Sequence, residues 1–350
     1  MRVLFVGLGG VGQRHLRNLL DIDPNINISA VRKIKRNFEI GNDVTPDYTT
    51  GISKKYNITI YSSIADAMKF KPDFAVVANP TRYHVSTALD LVSEGIPVFL
   101  EKPISDNYDG LGDLLRISRD KDVIVMTGYM MRFNPGALKV KELIDNQRIG
   151  RIYSVVLIVN SYMPSWHCYE KYNEFYAGMK SLGGGVILTE IHEVDLLNWY
   201  FGTPKRLWAV GGKLSPLDLD VEDSVSIMFD QEYNGNCFPV SLIMSFVQKS
   251  PLRKMLIQGE HGSIEWDIAI SKVFIEDKSN NQSEVFDYSD FQRNKMFIAE
   301  ISHFIDCLRE GKEPITSIHK VIGGHYTALA MKESLMKGDI IRPHGPTEDL

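Results

Sequence analysis

Four glycines in six residues, Gly7-Leu8-Gly9-Gly10-Val11-Gly12, follow the apolar run Val3-Leu4-Phe5-Val6 and precede a segment where Leu16, Leu19 and Leu20 recur at helical spacing. This order constrains the chain more than any other feature. It specifies a strand, a tight turn and a helix packed back on that strand, the opening of a βαβ unit. The glycines differ in what they allow. Gly7 permits the turn, Gly9 lets backbone approach a pyrophosphate, and Gly12 lets helix and strand pack closely. The helix N-terminus then offers unpaired N–H groups to phosphate oxygens. The expectation is a dinucleotide-binding site at the start of the chain.

Up to residue 128 short apolar runs alternate with helical segments, as repeated βαβ units require. Strands are expected at Val3–Val6, Ile26–Val31, Phe74–Ala78, Val98–Leu100 and Val123–Met126, and helices at Val85–Ser93 and Gly110–Arg119. Gly7, Arg32, Asn79, Glu101 and Gly128 end those strands, and ligands of open α/β sheets bind at that edge. Beyond Tyr129 the pattern changes to strands at Ile152–Val159, Leu207–Val210, Ser224–Phe229, Ser241–Phe246, Lys254–Gln258 and Ser263–Trp266, with turn signals such as Tyr233-Asn234-Gly235-Asn236 between them. Lys278-Ser279-Asn280-Asn281-Gln282 reads as a further hairpin tip. Convincing helical length follows only Gly185 and Phe291, so one face of the second sheet should lack helices and require another cover, most economically a second subunit. The expected fold is α/β: an N-terminal Rossmann domain with a parallel sheet (1–128), then a C-terminal α+β domain with a large, mainly antiparallel open-faced sheet (129–350) for substrate binding and oligomerisation.

The 350 residues carry a formal charge of −5, so no basic surface suited to nucleic acid is expected. Cys168, Cys237 and Cys307 are widely spaced and odd in number, which fits neither a disulfide framework nor a metal site. Met1-Arg2-Val3 runs into a strand without a secretory segment, and no apolar run reaches the ~18 residues of a membrane span. A cytoplasmic protein without membrane partners is the expectation.

Two positions suit proton and hydride chemistry. Lys102, at the rim of the crevice and before Pro103, can donate to a substrate hydroxyl and stabilise alkoxide charge as hydride leaves. After Gly183-Gly184-Gly185 a helical segment carries His192 and Asp195 on one face; an imidazole is suited to removing the hydroxyl proton, and Asp195 to orienting or capping. Arg32 stands where a carboxylate normally binds the ribose of NAD, and with Lys33, Lys35 and Arg36 it forms a cationic loop able to hold a 2′-phosphate. NAD(P) is the expected cofactor, with NADP favoured by Arg32. The aromatic segment Tyr162, Trp166, His167, Tyr169, Tyr172, Phe175 and Tyr176 suits either a sugar ring or the packing of a long loop.

With these motifs the chain resembles the Gfo/Idh/MocA oxidoreductase family over most of its length: GLGGVGQRH at the start, Asn79-Pro80-Thr81 with His84, Glu101-Lys102-Pro103, Arg132-Phe133-Asn134-Pro135, and the triple glycine followed by His192-Glu193-Val194-Asp195. The resemblance implies a Rossmann domain, an open-faced second sheet, a nicotinamide cofactor and a sugar, sugar derivative or cyclitol substrate, with Lys102 and His192 catalytic. The cofactor then meets Gly7, Gly9, Gly10, Val11, Gly12, Arg32, Asn79, Pro80, Thr81, His84, Glu101 and Lys102. The substrate meets Lys102, Tyr129, Arg132, Trp166, His167, Glu190 and His192. One position departs from the family pattern: the aspartate common four residues before the histidine is Leu188 here, or Thr189 when aligned from the glycines. Glu190 is the nearest carboxylate, but at i and i+2 on an ideal helix it points away from His192. The expected activity is hydride transfer between the nicotinamide and a secondary hydroxyl or keto carbon of a sugar-type molecule, in a homodimer or homotetramer. The alternatives are a nicotinamide-dependent glycosidase and a non-catalytic sugar sensor, and retention of both Lys102 and His192 argues against the sensor.

Overall fold

The computed structural model describes residues 1–32, 38–41, 44–278 and 282–345. Lys33, Lys35, Arg36 and the tip at Ser279-Asn280-Asn281 lie outside the described residues.

The first half begins with β1 (Arg2–Val6), α1 (Gly10–Ile22), β2 (Asn27–Val31), the two-residue strands β3 (Glu39–Ile40) and β4 (Pro46–Asp47), α2 (Ile52–Lys55), β5 (Thr59–Tyr61) and α3 (Ile64–Ala67). It continues through β6 (Phe74–Val77), α4 (His84–Ser93), β7 (Val98–Leu100), α5 (Leu111–Asp120) and β8 (Val125–Thr127). Six strands form a parallel sheet in the order β5-β2-β1-β6-β7-β8. The order reverses between β1 and β6, which places the ligand crevice where the glycine loop and the Asn79 loop leave the sheet. The expected strands are present with ends shifted by up to two residues, and β5 is additional. Its exposed Thr59 and Ile60 give no apolar run to read.

After α6 (Pro135–Asp145) the second sheet is built from β9 (Ile152–Tyr162), then, past α7 (Val186–Thr189) and α8 (His192–Phe201), from β10 (Arg206–Gly212), β11 (Ser224–Tyr233), β12 (Asn236–Ser245), β13 (Val247–Gly259), β14 (Gly262–Asp267), β15 (Lys272–Asp277) and β16 (Gln282–Asp287). All pairs are antiparallel except β9 with β12, in the order β10-β11-β12-β9-β13-β14-β15-β16. The pairing of β15 with β16 agrees with a hairpin around Lys278 and Gln282.

The helices differ from expectation. The segment after Gly185 is two helices, not one, and α6 is additional. The segment after Phe291 yields both α9 (Asn294–Glu310) and the 20-residue α10 (Ile318–Lys337). In α10 burial runs almost unbroken from Gly324 to Met331, so it has no polar face to give a readable period.

One face of the second sheet packs on α6, α8 and α10. The opposite face leaves Tyr153, Trp208, Met228 and Ile243 exposed, so the expected asymmetry holds. Helix α9 lies elsewhere: Ile301, Phe304 and Ile305 enter the core of the first sheet with Phe5, Leu16, Phe74 and Phe99. The Phe304 ring meets Phe74 and Phe99 edge-on at 5.4 and 5.7 Å.

Candidate active site

The glycine loop is shaped by what lies against it. Gly7 has φ of +98°, and a Cβ there would lie 2.6 Å from the Ala78 carbonyl oxygen, so the loops after β1 and β6 are in backbone contact. A Cβ on Gly12 would lie 2.6 Å from the Gly7 carbonyl oxygen, whereas one on Gly9 would meet nothing within 4 Å. This is the tight turn with one open approach that a pyrophosphate requires. His84, buried at the start of α4, has ring nitrogens 2.7 Å from the carbonyl oxygens of both Asn79 and Pro103 and so fixes the spacing of the loops after β6 and β7. Its burial opposes the imidazolium that could donate to both. Pro80 precedes the turn Thr81–Tyr83, and Asn79 Oδ1 and Thr81 Oγ1 are buried without hydrogen-bond partners among the described residues. The open approach and these polar atoms fit a bound dinucleotide.

Lys102 follows β7 and its Nζ donates to the Thr189 carbonyl at 2.6 Å, linking the crevice of the first sheet to the α7–α8 junction of the second domain. Burial pushes its pKa down, while Glu190 and then Glu101 draw it back. His192 opens α8 and is only 3 % exposed; neither ring nitrogen has a hydrogen-bond partner among the described residues. Burial, with Lys102, Arg253 and Arg293 nearby, holds its pKa well below 6.5, so the imidazole is neutral at physiological pH. Tyr129 lies edge-on to it at 6.1 Å, with its hydroxyl buried and unpaired among the described residues. An unpaired neutral imidazole near an ammonium can exchange a proton with a hydroxyl that the ammonium polarises.

Glu190 requires a correction to the helical geometry. The chain leaves α7 at Glu190, with φ −96° and ψ 32°, and α8 begins at His192. The i and i+2 argument therefore does not apply across this break. Glu190 acts electrostatically on Lys102, Arg253, Arg293 and Tyr176, which places it among the site's charges. Leu188 is core, and Thr189 contributes its carbonyl.

Asp195 and Arg132 are brought together but engage each other. Arg132 Nε and Nη2 donate to the two Asp195 oxygens at 2.8 and 2.7 Å, both residues are buried, and the guanidinium lies 5.3 Å from the Trp199 ring. This bidentate pair orients α8 under His192. Sequence reasoning missed Glu193, Arg253 and Arg293. Fully buried Glu193 accepts from Arg253 Nε at 2.5 Å. Arg253 does carry a signal: it shares the inward face of β13 with Met255 and Ile257, an improbable place for a charge without a partner.

The aromatic segment folds across the mouth of the first domain. The Tyr169 hydroxyl lies 2.7 Å from where a Cβ on Gly10 would sit. His167 pairs with Glu170 at 3.1 Å and stacks on Tyr169, and Trp166 packs edge-on to Phe246 at 5.1 Å. Tyr176 lies within the electrostatic reach of Glu101 and Glu190. Val11 is half-buried in the first turn of α1. Arg32 immediately follows β2 and is half-buried, which lowers its pKa.

Beneath Lys102, His15 Nε2 lies 2.6 Å from Glu101 Oε1, and Glu101 Oε2 accepts from the Lys102 backbone N–H. Glu300 of α9 completes a group whose ligand-type atoms fall within 4.8 Å of one another. Among the described residues neither Glu300 oxygen has a hydrogen-bond partner, and burial beside Glu101 raises its pKa well above the ordinary 4.5. Burial thus favours the protonated, neutral form of Glu300 over the carboxylate.

Comparison with known proteins agrees with this architecture. Residues 1–129 match the family model described as "Oxidoreductase family, NAD-binding Rossmann fold", and residues 137–265 match the "GFO/IDH/MocA C-terminal domain". The chain is 27% identical over 195 residues to 2,7-anhydro-N-acetylneuraminate hydratase of Mediterraneibacter gnavus, covering 55% of this chain and 50% of that protein, and so spans about half the length of that relative. It is 24% identical over 254 residues to inositol 2-dehydrogenase of Burkholderia vietnamiensis, covering 68% of each. A solved Agrobacterium radiobacter oxidoreductase, in complex with NAD+, L-tartaric acid and magnesium, shares the fold with a TM-score of 0.80 at 17% identity, covering 98% of both chains.

Proposed function

The chain belongs to the Gfo/Idh/MocA oxidoreductase family, and from that premise we propose that it is an NAD(P)-dependent oxidoreductase acting on a secondary hydroxyl or keto carbon of a sugar-type molecule. The observation that carries this reading is His192, a neutral buried imidazole with both nitrogens unpaired, within the field of the Lys102 ammonium. The names of the two relatives, a neuraminate hydratase and an inositol dehydrogenase, support the substrate class.

The loops of Gly7, Gly9, Gly12, Asn79 and Thr81 would hold the dinucleotide, which when bound supplies a hydride acceptor or donor. Lys102 donates a hydrogen bond to the substrate oxygen and stabilises negative charge on it. His192 takes the hydroxyl proton in oxidation and returns it in reduction. Tyr129 limits the ring motion of His192, and the Arg132–Asp195 pair holds the helix that carries it. Arg32 favours NADP, and oligomerisation through the open face of the second sheet covers the exposed Trp208 and Met228.

Lys102→Ala and His192→Ala are each expected to lower kcat by about 10² or more with little change in cofactor affinity. Near-normal kcat in either variant removes that residue from the mechanism. The hydratase relative favours a second reading, a redox-neutral reaction in which the cofactor is reduced and reoxidised within one turnover. Product formation without net NAD(P)H change distinguishes the two.

A further inference from the structure

Gly10 is the one glycine of the opening run to which the turn, the phosphate approach and the helix–strand packing give no task. It is the first residue of α1, where alanine is intrinsically the better helix former. What stands beside it is the Tyr169 hydroxyl, 2.7 Å from the position of a Cβ on Gly10, which is closer than a real Cβ tolerates. The missing side chain keeps room on the glycine loop for a residue of the second domain.

Tyr169 is held there from both domains. In its own segment the His167 ring stacks on it at 4.9 Å, and His167 is paired with Glu170 at 3.1 Å. On the first domain Phe38 meets its ring at 6.2 Å and in turn packs on Tyr48 at 5.0 Å. The Phe38–Ile40 stretch is fixed to α1. Gln13 Nε2 donates to the Leu8 and Phe38 carbonyls at 3.2 Å each, and Gln13 Oε1 accepts from the Ile40 N–H at 2.7 Å. Arg17 Nη1 donates to the Ile40 carbonyl at 2.5 Å. Next to Tyr169, Cys168 Sγ donates to the Val44 carbonyl at 3.5 Å. Residues 167–170 are thus seated against the glycine loop and the stretch that α1 holds.

The same place is the anion-binding end of the first domain. Gly9, the N-cap of α1, has open space where Gly10 has Tyr169. Helix α1 has no side-chain cap and no acidic residue in its first turn, so its free N–H groups face that opening. Thr81 Oγ1, buried and without a hydrogen-bond partner among the described residues, stands on the loop after β6 whose backbone meets Gly7. A tyrosine hydroxyl donates well to a phosphate oxygen, and such bonds to a charged acceptor are the stronger kind.

We propose that Tyr169 is a cofactor-binding residue supplied by the second domain: its hydroxyl donates to the pyrophosphate of the dinucleotide at the N-terminus of α1, and residues 167–170 close over that pyrophosphate. The proposal rests on the reading of the glycine loop as a dinucleotide site and adds a donor that the glycine fingerprint does not contain. It gives Gly10 its task, and it divides the aromatic segment, whose Tyr169 end serves the cofactor instead of a sugar ring.

The test measures nucleotide affinity of the full chain freed of bound nucleotide, by NADH and NADPH fluorescence, with ADP and adenosine titrated as competitors. Tyr169→Phe keeps the ring and its packing. In that variant the dissociation constants of NAD(P)H and ADP are expected to rise about tenfold, the scale of one hydrogen bond to a charged group, while that of adenosine, which has no phosphate, changes by less than about twofold. Gly10→Ala should weaken NAD(P)H to a similar degree in the wild-type background and by less than about twofold in Tyr169→Phe, because the added methyl group then meets no hydroxyl. Affinity for NAD(P)H and ADP unchanged in Tyr169→Phe overturns the proposal, and so does a loss for adenosine equal to that for ADP, since the residue then shapes the site without touching phosphate. Should Tyr169→Phe lose its native thermal transition, Gly10→Ala decides the question with the tyrosine in place, and unaltered NAD(P)H affinity there overturns the proposal. A wild-type chain that binds neither dinucleotide overturns the dinucleotide reading together with this proposal, whereas normal binding in both wild type and Tyr169→Phe overturns this proposal alone.

Discussion

Single residues decide the chemistry, and their protonation states follow from burial. His192 is neutral because burial and three nearby cations oppose its charged form. As a base it must be unprotonated, so activity in the oxidising direction is lost only as pH falls through a value below 6.5. The acid limb of kcat/KM for oxidation is therefore expected below pH 6.5, and a limb at or above that value means another group is the base. Arg32 makes a separate prediction. A guanidinium after β2 offers donors to a 2′-phosphate and no acceptor to ribose hydroxyls, so NADP should bind about tenfold tighter than NAD, the worth of about 1.4 kcal/mol. Arg32→Asp should reverse the order of the two dissociation constants; a wild-type preference for NAD that survives the substitution places Arg32 away from the ribose. At this scale Lys102 and His192 were legible in the sequence because motifs carry them. The Glu193–Arg253 pair was not, since its two members lie 60 residues apart and no spacing links them.

Elements determine how these residues meet. The break between α7 and α8 turns Glu190 into the cluster, and only the folded backbone reveals it, because Val186 to Leu197 has apolar residues enough for one continuous helix. The strands of the first sheet were readable from short apolar runs bounded by turn residues. Helix α10 was not, being buried on nearly every side. Helix α9 docks through Phe304 and also through Glu300, whose raised pKa gives a pH-dependent stability. A carboxyl with a folded pKa above its unfolded value contributes stability that is fully present below the unfolded value and is lost as pH rises through the folded one. Glu300→Gln keeps a neutral side chain of the same shape at every pH. Thermal denaturation should show the variant at least as stable as wild type at pH 8, with the difference shrinking or reversing near pH 4. A variant much less stable at pH 8 would mean that Glu300 is ionised and needed as a carboxylate.

At the scale of the molecule, the open face of the second sheet is the feature still to be covered. Trp208, Met228 and Tyr153 are exposed by 45, 46 and 47 %, and large contiguous apolar areas are uncommon on soluble monomers. Sedimentation at micromolar concentration is expected to give a dimer or tetramer, and a 39.6 kDa species would require another cover. Alternation along the strands made this face legible in the sequence, since one-sided burial writes itself as a period of two. Which helices cover the other face was less legible, because those packings join segments far apart in the chain. The seating of α9 on the first sheet also sets an order of assembly. During synthesis the strands carrying Phe5, Phe74 and Phe99 leave the ribosome long before residues 294–310 exist to shield them. The first sheet must therefore keep that greasy flank uncovered until α9 has been made, long after its own strands have emerged, and the exposed flank is a site for premature association until then.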